Sequence, residues 1–351
     1  MNSNTFRVAF VGIDHPHGSG WRESLGELGE AAALVAVVPG FSNSLASLEE
    51  RHSALPRFDR VEDLVAWGGF DGAVVCLPND KAPAAAIELA RSGKAILMEK
   101  PAAACARDWE PVAEEIRKHK VAFQAGYMWR YDEGASRLRA MFQDRRFGKP
   151  ISIQMRWFTS DARRRGPGHY LFDRKTSGGG FFNWLGCHWL DLLPWVTGSR
   201  AKAVLARVGN LADATLEVED GGTAIIEMAD GAQAVLSGGY WLPRWAGESG
   251  WSVYGGDRWV HWNPAYPGTS GKFEIHGPQP QFMPMDEEFS LLPDGAKGYG
   301  GAKTVELITD WIRSAREGGD CRNTPESVLE TLKLVDAVYA SSASGSMAAV
   351  A

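Results

Sequence analysis

The chain has 351 residues, 44% of them hydrophobic and 23% charged, which is ordinary for a globular protein and long enough for two cores. Its net charge of -6 leaves no basic field to hold nucleic acid or anionic lipid, so small-molecule partners are favoured. The four cysteines, Cys76, Cys105, Cys187 and Cys321, make no CxxC pair and no local metal-ligand cluster; Cys76 and Cys187 read as reduced core thiols, and no metal is expected.

The start, Met1 to Phe6, lacks a basic segment followed by a long apolar stretch, and no run of about 18 apolar residues occurs, so a cytoplasmic protein is expected. Phe6 to Gly12 and Leu34 to Val38 are apolar runs separated by an amphipathic stretch carrying Trp21, Leu25 and Leu28, a βαβ unit. Strand-like runs follow at Gly72 to Leu77, Ala95 to Met98 and Val121 to Ala125. Helical patterns at Val61 to Trp67, Lys81 to Ser92 and Arg107 to His119 alternate with them. That alternation predicts an α/β fold, a doubly wound parallel sheet over residues 1–126.

Past Gly148 the pattern changes. Ile151 to Trp157, Ala203 to Gly209, Thr215 to Met228, Gln233 to Trp241, Trp251 to Gly255 and Trp259 to Trp262 read as strands joined by turns such as Asp230-Gly231. One helix, Phe181 to Val196, interrupts them, and two, Lys303 to Glu317 and Pro325 to Ser341, close the chain. Residues 127–351 are thus expected to form an α+β domain with a large, mostly antiparallel open sheet, while the helices over 303–341 pack back on the first domain or across the interface. Pro264 to Gly301 reads as a meandering surface segment and Ser342 to Ala351 as a frayed tail.

The stretch Leu97-Met98-Glu99-Lys100-Pro101 ends a buried strand with a carboxylate, an ammonium and a rigid turn. In an open parallel sheet ligands bind beyond the carboxyl ends of the strands, so Lys100 stands where chemistry is expected. Burial or a neighbouring cation tunes such a lysine for passing a proton to or from a hydroxyl. The first strand ends in Gly12-Ile13-Asp14-His15-Pro16-His17-Gly18, a dinucleotide fingerprint that keeps the first glycine but has Asp14 and His17 at the second and third positions. Asp14 would put negative charge beside the phosphates unless it caps the helix or points away. His15 and His17 either help to neutralise phosphate or serve as turn residues. The second strand ends in Val38-Pro39-Gly40-Phe41-Ser42-Asn43, with neither a carboxylate for the ribose of NAD nor an arginine for NADP, so the preference stays open.

With Leu77-Pro78-Asn79, Ser92-Gly93-Lys94, Trp129-Arg130-Tyr131, Gly178-Gly179-Gly180, Gly186-Cys187-His188-Trp189-Leu190-Asp191, Asp310-Trp311-Ile312 and Pro325 in the same order, the chain resembles the Gfo/Idh/MocA family of sugar and inositol oxidoreductases over nearly its full length. The resemblance implies a Rossmann domain holding NAD or NADP, and a C-terminal domain whose open sheet mediates a homo-oligomer, a dimer or tetramer. The substrate then sits between the domains. It makes Lys100 a proton-transfer or polarising residue and carries the GxH histidine onto His188. Cofactor contacts fall on Gly12, Ile13, Asp14, His15, His17, Pro39, Leu77, Pro78, Asn79, Glu99, Lys100 and Trp129. An imidazole at His188 can share proton transfer or bond a sugar hydroxyl, with Asp191, three residues on, either orienting it or solvating the helix. Members commonly carry an aspartate four residues before that histidine, where this chain has Trp184.

On the substrate side the candidates are Arg130, Arg156, His169, Tyr170, Trp184 and His188. Arg163-Arg164-Arg165 is read as a solvated loop rather than a carboxylate clamp, and Tyr240, Trp241, Trp245, Trp251, Trp259 and Trp262 as sheet packing or a subunit interface. The function expected is hydride transfer between NAD(P) and a secondary hydroxyl or ketone of a sugar, inositol or related polyol. The alternatives are a glycoside lyase or hydrolase that recycles its nicotinamide, motivated by Trp184, and a non-catalytic ligand-binding member, motivated by Asp14, His17 and Pro39.

Overall fold

The computed structural model describes residues 4–41, 52–160, 162, 169–212, 215–244, 246–277 and 286–351. Ser42, Asn43, the arginine run 163–165 and Trp245 lie outside them. The chain divides into two compact units, Met1–Tyr131 with Gly295–Leu329, and Asp132–Asp294 with Glu330–Ala351.

In the first unit β1 (Phe6–Val11), α1 (Gly18–Gly26), β2 (Ala32–Val38), α2 (Val61–Trp67), β3 (Gly72–Val75), α3 (Ala82–Arg91), β4 (Ala95–Met98), α4 (Ala106–His119) and β5 (Phe123–Ala125) alternate. All neighbouring strands are parallel, in the order β2-β1-β3-β4-β5. Successive residues of a strand point to opposite faces. Val8, Phe10, Val74 and Leu97 join a core with Trp21, Leu25, Leu307, Ile308 and Trp311, the last three on α8 (Ala302–Glu317). Ala9, Val11, Ala73, Val75, Ile96 and Met98 are buried as deeply, so the sheet is covered on both faces and its strands read as continuous apolar runs. The order of the strands reverses at β1, which puts the crevice of a doubly wound sheet beyond the carboxyl ends of β1 and β3.

The second unit is built on a nine-stranded sheet ordered β13-β12-β11-β10-β6-β9-β8-β7-β14. Only β6 (Pro150–Ser160) and β9 (Gln233–Leu242) pair in parallel; β7 (Ala201–Gly209), β8 (Gly221–Met228), β10 (Gly247–Gly255), β11 (Trp259–Asn263), β12 (Lys272–His276), β13 (Asp286–Ser290) and β14 (Ala348–Ala349) are antiparallel to their neighbours. Its helices are α5 (Glu133–Gln143), the single turn α6 (Arg174–Ser177), α7 (Cys187–Thr197) entered through a π-helical turn at Phe182–Gly186, and most of α9 (Pro325–Ser344).

Four expectations are corrected. The supposed meander after Pro264 contains β12 and β13, in which Phe273 and Ile275 are buried while Lys272, Glu274 and His276 alternate outward. The supposed frayed tail forms β14 against β7, with Val350 N–H donating to the Lys202 carbonyl. The strand expected from Thr215 starts only at Gly221, because Asp220 instead accepts the amides of Leu211 and Ala212 and the Trp241 indole N–H. The helix over the 181–196 stretch is accompanied by α6 just before it, which Asp173 caps through the amides of Lys175 and Thr176. Among the described residues no helix is long and apolar enough to cross a membrane, and no group of three or more His, Cys, Asp or Glu could hold a metal ion.

Candidate functional site

At the end of β1 the chain turns at Gly12, whose φ is +77°, and a Cβ there would collide with the Cys76 carbonyl, so only glycine fits. Its N–H donates to the Val38 carbonyl at 2.7 Å, drawing the ends of β1 and β2 together. Asp14, 2% exposed, turns neither to α1 nor to solvent. Its carboxylate accepts Gly40 N–H at 2.6 Å and Phe41 N–H at 2.9 Å, so the acid at the second fingerprint position fastens the loop after β2. The first turn of α1 carries no acidic residue and no side-chain cap, and its Gly18 N–H donates to the His15 carbonyl at 2.7 Å. A left-handed glycine and an acid already held by two backbone amides fit a dinucleotide at this turn.

The same turn gathers His15 and His17. His15 is buried, its Nδ1 accepts His17 N–H at 3.0 Å, and its ring meets Phe41 edge-on. His17 stacks on Tyr299 with ring centroids 4.2 Å apart. Beyond β4, Glu99 is 5% exposed and Lys100 0%, with Nζ 3.9 Å from Glu99 Oε1, and the Lys100–Pro101 peptide is cis. The Trp21 indole N–H donates to Glu99 Oε2 at 2.5 Å, and His17 Nδ1 lies 3.6 Å from Oε1. Burial alone would push the Glu99 carboxyl up. The His17 imidazole 3.6 Å away, then the charges of Lys100 and His15, outweigh it and hold the carboxyl down to about 2. Pro78 and Asn79 are buried directly after β3.

The Trp129-Arg130-Tyr131 turn closes on the α8 side. Lys303 lies 4.8 Å above the Trp129 ring, Arg130 donates to the Arg322 carbonyl while Arg322 donates to that of Arg130, and Tyr131 Oη donates to Asp310 at 2.5 Å. Arg130 is therefore occupied in clasping the 322 loop.

In the second unit His188 is 1% exposed on α7 and stacks on Trp157 at 5.7 Å. Arg156, its neighbour on β6, points to the other face of the strand, where Nε meets Glu248 at 2.5 Å. Asp191 does not solvate the helix: it is fully buried and accepts the Thr331 hydroxyl at 3.2 Å. Trp184 is 4% exposed and meets Tyr170 edge-on at 6.2 Å. His169 stacks on Tyr170, and its Nδ1 accepts Leu171 N–H at 3.3 Å. The glycine run answers to packing: Gly178 has φ +78° and closes α6, and Cβ atoms on Gly179 and Gly180 would strike Tyr339 and Glu219. Buried Glu219 accepts Gly180 N–H, Phe182 N–H and the Tyr339 hydroxyl, and so seats the turn that leads to His188. Tyr240, Trp251 and Trp262 lie in the core, while Trp259 is 37% exposed and stacks on His276.

Two family models match the chain: residues 6–127 fit an oxidoreductase family model with an NAD-binding Rossmann fold, and residues 135–261 fit the GFO/IDH/MocA C-terminal domain. The chain belongs to the Gfo/Idh/MocA oxidoreductase family. Rhizopine catabolism protein MocA of Rhizobium meliloti is 23% identical to it over 289 residues, which are 81% of this chain and 80% of MocA. Inositol 2-dehydrogenase of Rhizobium meliloti strain 1021 is 26% identical over 59% of this chain and 61% of its own length. A solved levoglucosan dehydrogenase in complex with NADH shares the fold with TM-score 0.86 at 14% identity, each chain covered to 99%. As a Gfo/Idh/MocA protein, the chain carries its NAD-binding Rossmann domain in the first unit, where Gly12, Asp14, Glu99 and Lys100 stand on strand ends legible from apolar runs. Trp21, Tyr299 and Glu219, which hold these side chains in place, were not singled out in the sequence. Each meets its partner only through tertiary folding, and a lone aromatic or acid between strands carries no local signal.

Proposed function

We propose that the protein is an NAD(P)-dependent dehydrogenase acting on a secondary hydroxyl of a sugar, inositol or related polyol, with Lys100 as the acid/base and His188 as a second proton-handling group. The observation that carries this reading is the fully buried amino group of Lys100 at the carboxyl end of β4, beside a buried carboxylate and level with the glycine turn of β1. Family membership and relatives named as inositol dehydrogenases support the choice of substrate class. The nicotinamide, when bound, supplies the hydride acceptor. Gly12, Ile13 and the N-terminus of α1 would hold the pyrophosphate, with Asn79, Glu99 and Trp129 beside it. Lys100 Nζ takes the hydroxyl proton during oxidation and returns it during reduction, and burial excludes the water that would compete for it.

Lys100→Ala is expected to lower kcat by about 10²–10⁴-fold while nucleotide affinity stays within a few-fold. Near-normal turnover in that variant would sink the assignment. His188→Asn is expected to lower kcat as well, with the nucleotide KM unchanged. The aromatic Trp184 in place of an acid favours one second reading, glycoside cleavage with a recycled nicotinamide, whose mark would be product formation with no net change in nicotinamide absorbance. Leu205 and Trp259, exposed on one face of the sheet, support self-association through the nine-stranded sheet, to be checked by light scattering.

A further inference from the structure

A buried lysine that takes a proton from a substrate needs a route for that proton to water, and Lys100 is 0% exposed. Glu99 Oε1 lies between two nitrogens, 3.9 Å from Lys100 Nζ and 3.6 Å from His17 Nδ1. Its carboxylate is held from the other side by the Trp21 indole N–H on Oε2. Side-chain exposure rises along the series, from 0% at Lys100 through 4% at Glu99 to 19% at His17. The His17 ring is itself fixed, stacked on Tyr299 with its backbone N–H on His15 Nδ1. We infer that Glu99 and His17 form a relay carrying the substrate's proton from Lys100 to solvent, an inference that rests on the dehydrogenase reading above. Both are positioning residues that act through Lys100.

The steps balance. The substrate O–H bond breaks as an N–H bond forms at Lys100 Nζ, which starts as the neutral amine; a bound nicotinamide would take the carbinol hydride with its electron pair. Lys100 then yields a proton to Glu99 Oε1, Glu99 yields it to His17 Nδ1, and His17 releases one from Nε2 to water. Lys100 and Glu99 return to their starting state, and His17, left with its proton on Nδ1 rather than Nε2, returns to its own by exchanging that proton with water; two electrons and one proton leave with the hydride, and one proton reaches solvent. The cations around it hold the Glu99 carboxyl low, which suits a group that passes a proton on rather than keeps it. The charged and titratable groups facing Glu99 are His15 and His17 from the turn after β1, Lys100 at its own strand end, and the Cys76 thiol after β3, which burial and then Glu99 push up. Tyr299 backs His17.

The test begins with the cofactor-free protein, in which the Trp21 indole N–H resonance reports on Glu99. That resonance is expected to move when His17 is replaced in His17→Asn. A resonance that does not move overturns the relay. In turnover with NAD and whichever of myo-inositol, levoglucosan or D-glucose reduces it fastest, Glu99→Gln and His17→Ala should each lower kcat tenfold or more. The solvent deuterium isotope effect should grow, and added imidazole should restore part of the His17→Ala rate, which a merely structural role would not produce. Turnover within twofold of wild type in both variants, with Lys100→Ala inactive, overturns the relay and leaves the dehydrogenase standing. Normal turnover in Lys100→Ala brings down both.

Discussion

Asp14 and Glu99 are both buried acids near one turn, and their partners give them different tasks. Asp14 spends its two oxygens on two backbone amides, so its work is to hold the loop after β2. Asp14→Ala strips both amides of their acceptor and is expected to cost about 1–3 kcal/mol, read as a lower urea midpoint. Glu99 is held to about 2 against an ordinary 4.5. A lowered carboxyl stabilises the folded state fully above its unfolded value, so that contribution, about 3 kcal/mol, is present above about pH 4.5 and lost as pH falls towards 2. Urea unfolding of Glu99→Gln should therefore lose stability less steeply than wild type over that window. At this scale the sequence revealed Lys100, because a lysine after an apolar strand has a predictable address. It did not reveal the Trp21 and His17 partners of Glu99, whose positions are 78 and 82 residues away in the chain.

Elements were legible where their period was long or their run wholly apolar. The helix over Val61 to Trp67 and the four-residue strand β4 coincide with expectation, since α2 buries Leu64 and ends on left-handed Gly68, and β4 is buried throughout. β12 and β13 were missed because five-residue strands with charged alternate residues look like loop in a stretch rich in glycine and proline. α5 left a usable signal: Asp132 before Glu133 is an N-cap, and its side chain accepts Ala135 N–H at 3.1 Å. The glycine run before α7, one of the motifs that carry the resemblance, has Tyr339 and the backbone of Glu219 as its close neighbours. Gly180→Ala is expected to destabilise by about 1–3 kcal/mol through overpacking and to broaden the thermal transition, with Gly209→Ala, which meets nothing within 4 Å, as the neutral control.

The whole molecule joins a parallel sheet covered on both faces to a second unit built on a mixed, mostly antiparallel sheet, and family models match most of each part. Chain-wide order of weak motifs made the family legible, while cofactor preference was not, because no acid or arginine closes β2 and Asp14 ties that loop instead. The most direct test of the account is thermal unfolding with NAD and with NADP, followed at once by reduced-nicotinamide absorbance over a panel of polyols and sugars. A nucleotide at about 100 times its Kd adds about 2.7 kcal/mol to the folded state, so the account predicts that one of the two raises Tm by a few degrees and that a polyol then yields reduced nicotinamide. Absence of stabilisation by either nucleotide, or stabilisation with glycoside cleavage and no net reduction, would contradict it.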